Sequence, residues 1–165
     1  MKRKAKVTKQ MNIPIKNSSE LKNYVTKIIV ISILLNFVWE MVQMPLYENF
    51  SFSGTTTVFC LLASLGDAMM ILIIYFIGSA LFKSYSWFLK FNLKTIIYIS
   101  LAGLILSVSG ELIALNLNLW NYSSLMPKLI FTSIGLSPVL QMIILPILTF
   151  RITGALINFL NMRKK

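Results

Sequence analysis

Three of the five carboxylates in this chain lie inside stretches that otherwise read as membrane-spanning helix. They are Glu40 in ILLNFVWEMVQMP, Asp67 in FCLLASLGDAMMILIIYF and Glu111 in GLILSVSGELIAL. An ionisable side chain at the centre of a bilayer costs about 2.5–3.5 kcal/mol on insertion scales. Hydrogen bonding alone could be supplied by Asn or Gln more cheaply, so three acids together point to a polar site inside a helical bundle. Acids held out of water can transfer protons, stabilise positive charge or coordinate a cation. Burial disfavours the anion of a carboxyl group, which makes an acid in an apolar cavity a proton donor near neutral pH.

The surroundings of each acid extend the candidate site. At 100° per residue, Ser32, Asn36, Trp39, Glu40 and Gln43 share one arc of the first helix. Cys60, Ser64 and Asp67 are spaced i, i+4, i+7, and Gly103, Ser107 and Glu111 are spaced i, i+4, i+8 with Gly110 beside them. Ser137 and Gln141 form an i, i+4 pair further on. Small and polar stripes of this kind turn inward in a membrane bundle, leaving Ile, Leu, Val and Phe toward lipid. The candidate catalytic residues are therefore Glu40, Asp67 and Glu111. The candidate ligand-contacting residues are Asn36, Trp39, Gln43, Ser107, Trp120, Tyr122 and Gln141. Trp and Tyr at the loop ends also suit an interfacial belt.

The chain has no histidine, which removes imidazole catalysis and imidazole metal ligation together. No metal-ligand cluster, phosphate loop or nucleophile–base pair is visible, so neither a metal nor a cofactor is expected. The lone Cys60 sits in an apolar run and forms no disulfide within the chain.

Four elements must position these residues. Hydrophobic residues make up 56% of the 165 residues and charged residues 13%, and mean hydropathy is +0.75. Soluble domains run nearer 45–50% and about 25%. The apolar residues gather in runs over about 25–44, 57–82, 95–117 and 134–160, each near the roughly 20 residues a helix needs to span the hydrocarbon. Continuous rather than alternating apolarity favours helices. The sequence thus predicts an all-α, polytopic membrane protein: one four-transmembrane-helix antiparallel bundle over 25–165, preceded by a basic segment, 1–24, that is disordered or lies on the membrane surface.

The formal charge of +11 is distributed by topology. Lys2, Arg3, Lys4, Lys6, Lys9, Lys16, Lys22 and Lys27 precede the first span, Lys83, Lys90 and Lys94 separate the second from the third, and Arg163, Lys164 and Lys165 follow the fourth. Only Lys128 falls on the opposite side, and Arg151 lies within a span. By the positive-inside rule both termini are cytoplasmic in a cell (plasma) membrane. The basic N-terminal run suits anionic inner-leaflet headgroups rather than nucleic acid, since no folded basic domain accompanies it. Measured from the helix starts at 1.5 Å per residue, Glu40 lies about 18 Å along its span, Asp67 about 15 Å, Glu111 about 24 Å and Gln141 about 10 Å. All four then occupy the outer half of the bilayer. Glu111 falls close enough to the boundary to reach headgroup water, and Arg151 snorkels to the cytoplasmic edge or reaches back to Asp67. Pro45 stops the first helix near Met44, and Pro138 and Pro146 free carbonyls that can kink the fourth.

The string Asn36-Phe37-Val38-Trp39-Glu40 resembles an Asn-x-x-Trp-Glu stretch of fungal integral-membrane terpene cyclases. That resemblance implies a membrane-embedded acid that protonates an epoxide or alkene, with aromatic rings steadying the cation. Trp39-Glu40, Gly66-Asp67, Gly110-Glu111, Trp120-Asn121-Tyr122 and Gly135-Leu136-Ser137-Pro138 together are similar to small, uncharacterised bacterial multi-pass proteins, a likeness that implies no particular activity.

Three functional classes remain open. In an intramembrane enzyme acting on a lipid or isoprenoid, Glu40 is the general acid held by Asn36 and Gln43. Asp67 and Glu111 then act as base or charge stabilisers, and Trp39 and Trp120 shape the pocket. In a carrier for a cation or cationic solute, the same acids with Gln141 and Asn116 hold the ligand. In a small accessory subunit, the polar residues dock onto a partner's helices.

Overall fold

The computed structural model describes residues 18–48 and 53–163. Four helices make up the fold: α1 (Ser18–Gln43), α2 (Gly54–Leu81), α3 (Leu93–Asn116) and α4 (Leu136–Met162). Each is long and apolar enough to cross a membrane. The expectation of an all-α four-helix bundle therefore holds, and the chain is a multi-pass membrane protein.

Local chemistry sets the helix ends. The Ser53 hydroxyl accepts from Thr56 N at 3.2 Å and starts α2. At α3 the Asn92 side-chain oxygen Oδ1 accepts from Thr95 N at 3.2 Å, and the Thr95 hydroxyl accepts from Asn92 N at 3.0 Å, a reciprocal capping box. Pro45 closes α1 into a 3₁₀ turn over Met44–Leu46. Pro138 falls in the first turn of α4, where its missing N–H is no loss, so only Pro146 interrupts that helix.

One boundary differs from the apolar pattern. The first helix begins at Ser18 rather than near residue 25. Glu20 in its first turn complements the helix dipole, and Tyr24 meets the Phe88 ring edge-on at 5.5 Å, which extends the helix beyond its apolar run. The basic stretch 1–17 lies outside the described residues, as do Lys164 and Lys165.

Polar residues within the spans turn inward, and many large apolar side chains face outward. Along α1, Ser32, Asn36 and Gln43 are buried, while Val30, Leu34, Val38 and Val42 are exposed toward what would be lipid. The two ends of the bundle differ. At the end carrying both chain termini, Tyr75, Trp87, Phe88 and Phe150 form an aromatic core. There Trp87 wedges between α2 and α3: a Cβ on Gly78 would lie 2.6 Å from the indole and 2.9 Å from Tyr98. The Tyr98 hydroxyl donates to Ile74 O at 2.7 Å, tying α3 to α2.

Elsewhere the packing is uneven. α1 packs on α2 and α4, and α3 packs on α4, but α2 and α3 touch far less. Gly103 explains the α3–α4 closeness, because a Cβ there would collide with the Met142 carbonyl oxygen. That carbonyl is the one Pro146 leaves without a helical N–H partner, four residues on. Gly66 and Gly110 behave differently, with nothing within 4 Å of a Cβ placed on either. The helices α2 and α3 are therefore joined at one end and stand apart toward the other.

Candidate functional site

Where α2 and α3 part, a cavity of about 740 Å³ opens, with mostly apolar walls. Glu40 from α1, Asp67 from α2 and Glu111 from α3 all line it, together with Gln43, Ser107 and Gln141. The depths inferred from residue counting converge as expected.

Gln141 joins three helices. Its amide nitrogen lies 3.0 Å from Asn36 Oδ1, 2.9 Å from Glu40 Oε1 and 2.7 Å from Asp67 Oδ2. The amide has two hydrogens, so the three acceptors share them. The Glu40 and Asp67 carboxyl groups therefore stand side by side on one amide nitrogen. Two neighbouring carboxyls hydrogen-bond to each other only when one of them carries a proton.

Trp39 fixes the polarity of this network. An indole N–H can only donate, and Trp39 Nε1 lies 3.1 Å from Gln43 Oε1. Ser137 Oγ donates to the same oxygen at 2.8 Å. The Gln43 amide nitrogen must then face the other way, donating to Glu40 Oε1 at 2.8 Å and to Gln141 Oε1 at 3.0 Å. With its oxygen accepting from Gln43, Gln141 presents its nitrogen to the acids. Every donor and acceptor of Gln43 is used, and the side chain is 4% exposed.

Glu111 is 6% exposed, which corrects the expectation that it reaches headgroup water. The loop after α3 covers it, and Tyr122 donates its hydroxyl to Glu111 Oε2. That loop pairs with the turn after α1 through a Tyr47–Tyr122 bridge, Glu48 N to Asn121 O at 3.0 Å and Ser123 N to Leu46 O at 2.9 Å. Tyr47 sits between the rings of Trp120 at 6.4 Å and Tyr122 at 5.6 Å. Burial pushes the Tyr122 phenol up to about 12, with its Glu111 hydrogen bond adding to the rise. Burial and the nearby carboxylates hold Tyr47 protonated as well. Both remain hydroxyl donors throughout the physiological range.

Several sequence candidates take other roles. Trp39 and Asn36 do not line the cavity; they anchor Gln43 and Gln141 from behind. Tyr122 reaches the site through Glu111, and Ser107 lines the cavity while donating to Pro138 O at 3.1 Å. Asn116 is exposed and away from the cavity, so it drops from the ligand set. Arg151 is exposed with its guanidinium 4.9 Å from the centre of the Phe91 ring, not paired with Asp67. Tyr47 and Glu48 line the cavity, although the sequence marks them only as loop residues. Their position depends on the pairing of two loops some 75 residues apart in the chain, for which no local signal exists.

Among the described residues no group of His, Cys, Asp and Glu is arranged to hold a metal ion. No family model, curated protein or solved structure matches the chain. Fold and site alone define its class: a four-helix, multi-pass membrane protein whose intramembrane acids face one cavity.

Proposed function

We propose that the protein is an intramembrane acid–base enzyme acting on a lipid or isoprenoid. The observation that carries this reading is the Glu40–Asp67 carboxyl pair, fixed by Gln141 within a largely apolar cavity. A pair sharing one proton provides an acid and a base side by side. Glu40 donates a proton to one carbon or oxygen of the substrate, and Asp67 removes one from a neighbouring carbon. Composition is unchanged, so isomerisation or cyclisation needs no co-reactant. Glu111 and the rings of Tyr47 and Trp120 steady the positive charge between the two steps. The Asn-x-x-Trp-Glu likeness to membrane terpene cyclases supports the same assignment, as the indole of that motif here orients the amide that holds the acid. The charge distribution supports cytoplasmic termini in a plasma membrane, which would open the cavity toward the outer leaflet.

Untargeted mass spectrometry of lipid extracts from cells expressing wild-type, Glu40→Gln and Asp67→Asn protein tests the reading. A lipid species should rise with the wild type, at the expense of an isomer, and stay at background with either variant. Identical extracts from wild-type and variant cells would sink it.

A second reading is favoured by one observation: Glu40, Glu48, Asp67 and Glu111, four of the five carboxylates, line this cavity. A carrier for a small cation uses the same arrangement. Proteoliposomes should then take up methylammonium in a pH-dependent way that Asp67→Asn and Glu111→Gln both reduce, while lipid extracts stay unchanged.

A further inference from the structure

The cavity is open on a side that matters for what enters it. On α2, Thr56, Phe59, Cys60, Ala63, Gly66 and Met70 line its length, following the helical repeat toward the aromatic core. Across from them stand Ser107 and Gly110 of α3. The two helices are pinned by Trp87 and Tyr98 at one end only, and Gly66 and Gly110 face open space where they separate. A gap between two lipid-facing helices admits a chain from the bilayer. Gly103, by contrast, seals α3 onto α4 at Met142.

The mouth has a chemistry of its own. Glu48 is exposed there and Glu111 lines the wall beneath the loop, beside the rings of Tyr47 and Trp120. Among the described residues no lysine or arginine lines the cavity, although the chain carries sixteen. An anionic head would meet carboxylates and no cationic side chain, whereas an ammonium group meets opposite charge and aromatic faces together. The volume, about 740 Å³, falls within the range of roughly 300–1,000 Å³ usual for small-molecule sites.

We propose that the cavity binds a single-chain amphiphile with an amine head, which enters sideways from the lipid between α2 and α3. The inference rests on reading this cavity as a lipid site, and not on the acid–base step.

Purified full-length protein in mild detergent, titrated with octadecylamine, octadecanol and octadecanoate and followed by native mass spectrometry, compares three heads on one chain. Octadecylamine should bind at least tenfold more tightly than octadecanoate, with octadecanol between them. In Glu48→Gln/Glu111→Gln protein the preference for the amine should fall severalfold while octadecanol binding persists, which shows that the cavity is still formed. Gly66→Phe/Gly110→Phe protein should lose binding of all three while unfolding at the wild-type temperature, since both sites have room for a side chain. Equal binding of amine and carboxylate would overturn the head assignment, and full binding by the phenylalanine variant would overturn the entry route. Tight amine binding without any Glu40-dependent lipid conversion would sink the acid–base reading and leave this one standing. Glu40-dependent conversion without amine preference would do the reverse.

Discussion

Gln43 and Gln141 are amides doing work that the acids cannot do for themselves. A carboxylate pair inside apolar walls needs donors that do not ionise, and an amide supplies two while its oxygen anchors it elsewhere. The direction of the whole network follows from one residue, since Trp39 Nε1 can only donate. Replacing Trp39 with Phe keeps the ring but frees the Gln43 oxygen to turn, so the donors facing Glu40 and Gln141 are no longer fixed. Loss of this part-buried hydrogen bond should reduce stability by about 1 kcal/mol, read as a lower unfolding temperature in detergent. Wild-type stability in Trp39→Phe protein would show that Gln43 is oriented by Ser137 alone. Trp39 was legible in the sequence as a neighbour of Glu40, but its place behind the site was not. One turn of helix separates facing a cavity from facing a neighbouring amide.

At the scale of the elements, two glycines on one helix make opposite demands. Gly103 lies against the Met142 carbonyl that Pro146 leaves free, and a methyl group there would collide with that oxygen. Gly110, seven residues on, meets nothing within 4 Å. Gly103→Ala should therefore force α3 from α4 and destabilise the protein by about 1–3 kcal/mol. Gly110→Ala should be neutral or stabilising by up to about 1 kcal/mol, because alanine is the better helix former. Denaturant titration of both variants, followed by circular dichroism, checks the contrast; similar losses in the two would mean that the cleft beside Gly110 closes in solution. The sequence marks both glycines as members of one small-residue stripe. Which of them is a packing contact depends on the partner helix, and a stripe does not name its partner.

For the whole molecule, asymmetry is the organising fact. Aromatic residues fill the bundle at the end of the chain termini, and acids and amides fill the other end beneath paired loops. The basic residues flank the aromatic end: Lys83 and Lys90 lie between α2 and α3, Lys94 in the first turn of α3, and Arg163 follows α4. If that end is cytoplasmic, Lys128→Cys in a Cys60→Ala background should react with a membrane-impermeant maleimide on intact cells, and Lys83→Cys should react only after permeabilisation. The opposite labelling pattern would invert the orientation and turn the cavity toward the inner leaflet.

By itself the sequence determined the number and type of the spanning elements, their antiparallel order, and the inward turn of the three acids. Long apolar runs admit one secondary structure in lipid, and a charge inside such a run is costly anywhere but the interior. Counting residues even placed Glu40, Asp67, Glu111 and Gln141 in the same half of the membrane, because helical rise is constant. Only the tertiary structure decided that they share one cavity, that Glu111 lies under a loop held by Tyr122, and that the opening falls between α2 and α3. These features arise from side chains far apart in the chain meeting at close range: Gln141 with Asp67, Tyr47 with Tyr122, Gly103 with Met142. Helical period fixes where a residue stands on its own helix. Packing fixes what it faces.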